Sequence, residues 1–146
     1  MRVKESILIV DDEPTIRELI SYALNDAGFT AVHANDAEQA MNGIEKTLPN
    51  LILMDWTLPG ISGLELSRSL RQFNKTRDIP ILMVSAHSED VDRLEGFKAG
   101  VDDYIIKPFS TKNLIKRVKT LLGYSDSLPV QGPVCTGSIF EKKVLT

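Results

Sequence analysis

Four places in the chain put a reactive side chain directly after a short apolar run. Asp11-Asp12 follow Ile7-Leu8-Ile9-Val10, Asp55 follows Leu51-Ile52-Leu53-Met54, Ser85 follows Ile81-Leu82-Met83-Val84, and Lys107 follows Tyr104-Ile105-Ile106. His33 ends a further, more polar run. Carboxylates brought close together repel one another and stay ionised only beside a cation. Ligands that are all oxygen, with no cysteine and no obligatory histidine, suit a hard octahedral ion, which points to Mg²⁺ over a transition metal. A lysine ammonium and a hydroxyl donor beside them complete a site for a phosphoryl group. Taken singly, each residue is also an ordinary turn or cap residue. Together at strand ends they read as one site.

The elements that must position them follow from the same pattern. Ser6–Val10 reads as a buried strand stopped by Asp11-Asp12-Glu13-Pro14, and a helix is expected from about Glu13 to Ala27, since proline and acids suit a helix start. Gly28 ends that helix, and a shorter second strand is expected over Phe29–His33. Asn35 or Asp36 caps a second helix, and the strand ending at Asp55 runs into Thr57-Leu58-Pro59-Gly60. A third helix starts near Gly63, a fourth strand ends at Ser85, Ser88 is expected to cap a fourth helix, a fifth strand ends before Lys107-Pro108, and Ser110 caps a last helix stopped by Gly123. Five apolar strands alternating with five helices call for a parallel sheet covered on both faces, with right-handed crossovers. In such a sheet ligands sit outside the carboxyl ends of the strands.

Length and composition fit one domain. The chain has 146 residues, 42% hydrophobic and 25% charged, with a net charge of -3. That balance argues against a nucleic-acid binder acting through this segment, which would carry a basic stripe. One cysteine, Cys135, and no Cys/His cluster of zinc spacing fit a reducing cytoplasmic setting, and no apolar run reaches membrane-span length. After Gly123 the composition shifts: residues 124–137 hold Pro129, Gly132, Pro133 and Gly137 and read as a linker. Residues 138–146 read as the start of a truncated C-terminal effector domain or as a disordered tail.

Rival α/β readings fail on particular residues. A nucleotide-binding fold needs a glycine-rich turn after the first strand, where this chain has Asp11-Asp12-Glu13. An aspartate-nucleophile phosphohydrolase needs a second acid two positions after the first, and Thr57 stands there.

Asp11-Asp12, Asp55, Ser85 and Lys107-Pro108 resemble the receiver domain of bacterial two-component response regulators, and the resemblance spans residues 6 to 122 of a domain placed at 1–123. It implies a flavodoxin-like sheet of order 2-1-3-4-5. It implies that Asp55 accepts a phosphoryl group from a sensor histidine kinase. Mg²⁺ would be bound by Asp12 and Asp55 carboxylates and the Thr57 backbone carbonyl, with Asp11 acting through water. Lys107 and Ser85 would contact the phosphoryl oxygens, Lys107-Pro108 would be a cis peptide, Ser85 and Tyr104 would form the switch with Tyr104 swinging inward, and Thr57 and His87 would tune water access. His33 is expected at the surface. No independent enzyme is implied, only support of the domain's own phosphorylation and slow dephosphorylation.

Met54-Asp55-Trp56-Thr57-Leu58-Pro59-Gly60, Ala99-Gly100-Val101-Asp102-Asp103-Tyr104 and Lys107-Pro108-Phe109 are similar to the OmpR/PhoB regulators, which carry a C-terminal winged-helix DNA-binding domain. That resemblance implies a homodimer formed on phosphorylation through the fourth helix, fifth strand and fifth helix. Arg93, Asp102, Asp103, Arg117 and Lys119 would supply its charges, and Leu94, Phe97 and Ile115 its apolar patch. Asn113 departs from the group's usual Glu and leaves Arg93 without that partner. DNA would be reached only through a domain outside this chain, and no membrane is expected as a partner. The alternative is a stand-alone receiver serving as a phosphorelay intermediate.

Overall fold

The computed structural model describes residues 4–124. The expected linker and the segment 138–146, with Cys135, lie outside the described residues apart from Tyr124. Five strands, β1 (Ser6–Val10), β2 (Thr30–Ala34), β3 (Leu51–Asp55), β4 (Ile81–Ser85) and β5 (Asp103–Ile106), alternate with five helices, α1 (Pro14–Asp26), α2 (Ala37–Lys46), α3 (Gly63–Gln72), α4 (Asp90–Lys98) and α5 (Thr111–Leu121). The strands form one sheet in the order β2-β1-β3-β4-β5, with every pairing parallel.

Successive side chains of a strand point to opposite faces, so apolar strands must be covered twice. Leu8, Val10, Ile52, Met54, Ile81 and Met83 pack on one face with Ala40 and Ile44 of α2 and Leu66 and Leu70 of α3. Ile7, Ile9, Leu51, Leu53, Leu82 and Val84 pack on the other with Ile20 and Leu24 of α1 and Leu114 and Val118 of α5. The sheet's central strands are therefore held from both sides, and their carboxyl ends are fixed.

Two boundaries differ from expectation. β2 begins at Thr30, opposite Ser6, and ends at Ala34, because Phe29 leaves the ladder to fill the core behind Gly28 at φ +97°. The α4 cap is Glu89 rather than Ser88, and the Glu89 N–H donates to the Asp92 carboxylate at 3.3 Å. The caps of α2 and α5 stand where they were expected. Asp36 accepts from the Gln39 N–H at 2.8 Å and Ser110 from the Asn113 N–H at 3.0 Å.

Arg71, at the end of α3, ties the region beside β4 and β5 together. It donates to the carbonyls of Gly100 (2.8 Å), Arg77 (3.0 Å) and Ile79 (2.7 Å), and its remaining nitrogen meets the Asp102 carboxylate at 2.7 Å. Asp102 in turn accepts the Ile81 N–H at 2.8 Å. A planar fork is needed to reach all of these, so a lysine at this position would restore little. Arg71→Ala is expected to lower stability by about 2–3 kcal/mol, roughly 10 °C in Tm, through stranded polar groups. Thermal unfolding followed by circular dichroism checks it, and a loss under about 2 °C would contradict the network's importance.

Candidate functional site

At the carboxyl edge of the sheet, Asp11 directly follows β1, Asp55 is the last residue of β3, Ser85 the last of β4, and Lys107 directly follows β5. Each is where the ladder hands the chain over to a loop. The Asp11 N–H still donates to Ala34 O at 3.1 Å, and the Lys107 N–H to Ser85 O at 2.8 Å, so both residues are fixed by backbone bonds. Lys107-Pro108 is a cis peptide, as the resemblance implied.

The side chains converge. The Lys107 ammonium lies 3.3 Å from Asp55 Oδ2 and 3.5 Å from Asp11 Oδ2. Oxygen atoms of Asp11, Asp12 and Asp55 all lie within 4.8 Å of one another. Asp11 and Asp55 are buried, whereas Asp12 is exposed at the mouth of the site. Asp11 also accepts the Glu13 N–H at 2.9 Å, and Asp55 the Thr57 N–H at 3.3 Å, which pin both carboxylates from behind.

Burial, with the Asp11 charge second, holds the Asp55 carboxyl above its usual range despite Lys107. Burial would lower the Lys107 ammonium, but the charges of Asp55 and Asp11 outweigh it and hold it higher than usual. Three carboxylates in this cluster face one lysine. For Asp55 the sign is clear. A raised carboxyl pKa in the fold means that ionisation works against folding above the unfolded value of 3.8. In metal-free buffer Asp55→Asn is expected to raise Tm at neutral pH, and this gain should vanish as pH falls towards 3.8. Paired melting curves from pH 7 downward, over the carboxylate and histidine ranges, read the difference directly.

Ser85 is buried, its hydroxyl oxygen accepts the His87 N–H at 2.9 Å, and its side chain also hydrogen-bonds the Tyr104 phenol. The carbonyl of the same His87 accepts the Tyr104 hydroxyl at 2.8 Å. One peptide segment is thus held by Ser85 at one end and Tyr104 at the other. Tyr104 is only 2% exposed, so its ring already lies inward. Burial keeps its phenol above the ordinary range and hence a neutral donor. Trp56 stacks on the His87 ring with centroids 4.3 Å apart and meets Tyr104 edge-on at 6.3 Å. Thr57 and His87 stand at the rim, and His33 is exposed on β2, away from the cluster's buried floor.

The family of response regulator receiver domains matches residues 7–119. The chain belongs to this family. The phosphate regulon transcriptional regulatory protein PhoB of Escherichia coli K12 is 45% identical over 116 residues, 80% of this chain and 51% of that protein. PhoB of Pseudomonas aeruginosa is 43% identical over 137 residues, 94% of this chain and 60% of that protein. The chain thus spans little more than half of those regulators. Among solved structures, the Vibrio cholerae chemotaxis protein CheY4 superposes with a TM-score of 0.78 at 28% identity, covering 82% of this chain and 99% of that one. The receiver domain of sensor histidine kinase PA1611 from Pseudomonas aeruginosa, solved with a magnesium ion coordinated in its active-site cleft, gives 0.76 at 30%, covering 83% and 99%.

The residues expected at a dimer face of this receiver are placed as follows. Leu94 and Phe97 are exposed on α4, where Arg93 also lies. Asp103 receives both its oxygens' bonds from Arg117, at 2.8 and 2.9 Å, and Asp102 is engaged by Arg71. Ile115 and Lys119, one turn apart on α5, line the groove between α1 and α5 with Leu19 and Tyr22. Two contributors to the receiver's site went unassigned in the sequence. Trp56 forms an aromatic wall beside Asp55, and an aromatic residue directly after the acid was the available signal. Arg17 donates to the Asp11 carbonyl at 2.6 Å from the first turns of α1, a contact with no sequence signature. Among the described residues no helix is long and apolar enough to cross a membrane.

Proposed function

We propose that this receiver is a phosphorylation switch in which Asp55 takes a phosphoryl group from the phosphohistidine of a sensor histidine kinase. The observation that carries this reading is the Lys107 ammonium set between the Asp55 and Asp11 carboxylates at 3.3 and 3.5 Å. A buried acid beside a fixed cation can attack phosphorus with one oxygen while the P–N bond to the leaving imidazole breaks. Lys107 shares the charge that spreads over the phosphoryl oxygens. The Ser85 hydroxyl, at the end of the neighbouring strand, would turn from Tyr104 to donate to one of those oxygens.

The site also suits a divalent cation. Its clustered ligands are all oxygen, and three carboxylates there face the one ammonium of Lys107. Asp11, Asp12 and Asp55, with the Thr57 carbonyl, would hold Mg²⁺, which when bound would neutralise the oxygens of the incoming group. The domain acts as a phosphoacceptor, with no turnover of outside substrates.

Phosphorylation at Asp55 pulls on Ser85. Because Ser85 and Tyr104 hold the two ends of the His87 peptide, that pull reaches α4 and β5. Exposed Leu94 and Phe97 support a homodimer through α4, β5 and α5. The PhoB relatives are named transcriptional regulators, which supports control of transcription through a DNA-binding region beyond the part matched here. Intact mass after acetyl phosphate and Mg²⁺ is expected to rise by one phosphoryl group, ~80 Da, in wild type and not at all in Asp55→Asn. Size-exclusion chromatography of the same samples should show a shift to dimer. No mass gain would remove the phosphoacceptor reading, and a gain without dimer would favour a phosphorelay intermediate.

A further inference from the structure

Helix α4 rests on the sheet through one residue. Of its nine positions only Gly96 is buried, and Val91, Leu94 and Phe97 all face solvent. Glycine is an unfavourable choice inside a helix, and Gly96 is not at a left-handed φ that would require it. What lies against it supplies the reason. A Cβ at this position would stand 3.2 Å from both Cδ2 and Cε2 of Tyr104 and 3.5 Å from Cγ2 of Val101. The ring has little room to retreat. Its hydroxyl is tied to the His87 carbonyl at 2.8 Å, and Trp56 stands edge-on to it.

We propose that Gly96 is a positioning residue of the switch: its missing side chain forms the seat for the inward ring of Tyr104, and through that contact α4 is coupled to the state of Ser85. The proposal rests on the phosphoacceptor reading and names the α4 side of that same device. With a methyl group at Gly96, the inward ring or α4 must give by a few tenths of an ångström, which biases the ring towards its outward rotamer. The exposed face of α4 then loses its link to Asp55. Alanine favours a helix over glycine, so a merely structural position would gain or hold stability with no effect on the ring. That difference in sign separates the two roles.

The test uses the full chain labelled with 3-fluorotyrosine. Its three tyrosines are well spread in environment, with Tyr22 74% exposed, Tyr124 38% and Tyr104 2%, and Tyr104→Phe assigns the buried resonance. In Gly96→Ala the Tyr104 ¹⁹F resonance is expected to move towards the exposed pair. Phosphoryl mass gain from acetyl phosphate and Mg²⁺ should equal wild type. Dimerisation of the phosphorylated form should weaken about tenfold, as for an active population reduced to about a tenth. The effect of Gly96→Ala on dimerisation should disappear when it is made in a Tyr104→Ala background. An unmoved resonance, or an effect on dimerisation as large without the ring as with it, overturns the proposal. Failure of wild type to gain mass instead overturns the phosphoacceptor reading, and the resonance then still decides whether Gly96 seats the ring.

Discussion

Lys107→Ala is expected to slow acetyl phosphate labelling of Asp55 by about 10²–10³-fold, the usual effect of removing one fixed donor from a developing oxyanion. The ammonium is the cation that the fold itself holds between Asp55 and Asp11, and burial makes it count for more than a surface lysine would. Its loss also leaves two buried carboxylates facing one another. Stability should therefore fall as well, by about 1–3 kcal/mol once solvent screening is allowed for, since the lysine side chain is 21% exposed. The raised Lys107 pKa sets the window. The wild-type advantage is fully present below the ordinary value of 10.5 and is lost as pH rises through the raised one. Lys107→Arg should not rescue labelling, because a planar fork cannot replace a point charge at both carboxylates. Quenched time points read by intact mass give the rate, and a variant within about twofold of wild type would sink the role given to Lys107, far below the loss expected.

What the sequence revealed, and what it hid, follows from how strongly each element is buried. β1, β3 and β4 are covered on both faces, so their apolar runs are unbroken and their ends, Asp11, Asp55 and Ser85, could be read to the residue. β2 lies at the sheet edge with most of its residues at least partly exposed, and its boundary slipped by one. α4 hid its buried contact for a related reason. Leu94 and Phe97, expected in an exposed apolar patch, do face outward, and the residue of the helix that is buried is a glycine. No hydrophobic pattern can display a contact made by a missing side chain.

The ion pairs were hidden differently. Asp102 and Asp103 looked alike, as neighbouring surface acids free to meet a partner. In the fold, Asp103 pairs with Arg117 fourteen residues away and Asp102 with Arg71 thirty-one away. Spacing within one helix would have exposed an i,i+4 pair, but these join separate elements and exist only once the sheet has formed. Any dimer that used either acid would first have to draw it from, or share it with, a bond inside its own chain.

Gly63→Ala is expected to be the most damaging of the glycine replacements, because its obstacle is backbone. A Cβ there would lie 2.1 Å from the Asp55 carbonyl oxygen, 3.0 Å from its carbon and 3.1 Å from Trp56 Cα. Gly63 is the first residue of α3, and its N–H donates to the Trp56 carbonyl at 2.8 Å, which draws the helix start against the end of β3. The turn that brings it there passes Gly60 at φ +77°. Neither partner is a side chain that could change rotamer, so the methyl group must move α3 or the strand that carries Asp55. Stability should fall by about 3 kcal/mol or more, over 10 °C in Tm by the usual scaling. Any folded fraction should label slowly, since displacement of the Asp55 backbone shifts its carboxylate from Lys107. Gly43 provides the contrast. It too sits inside a helix, but a Cβ there meets nothing within 4 Å, so Gly43→Ala should stabilise by about 0.4–1 kcal/mol. Melting curves for the two variants should move in opposite directions. If Gly63→Ala melts with wild type, then β3 and α3 can part without loss, and the fixed placement assigned to Asp55 is wrong.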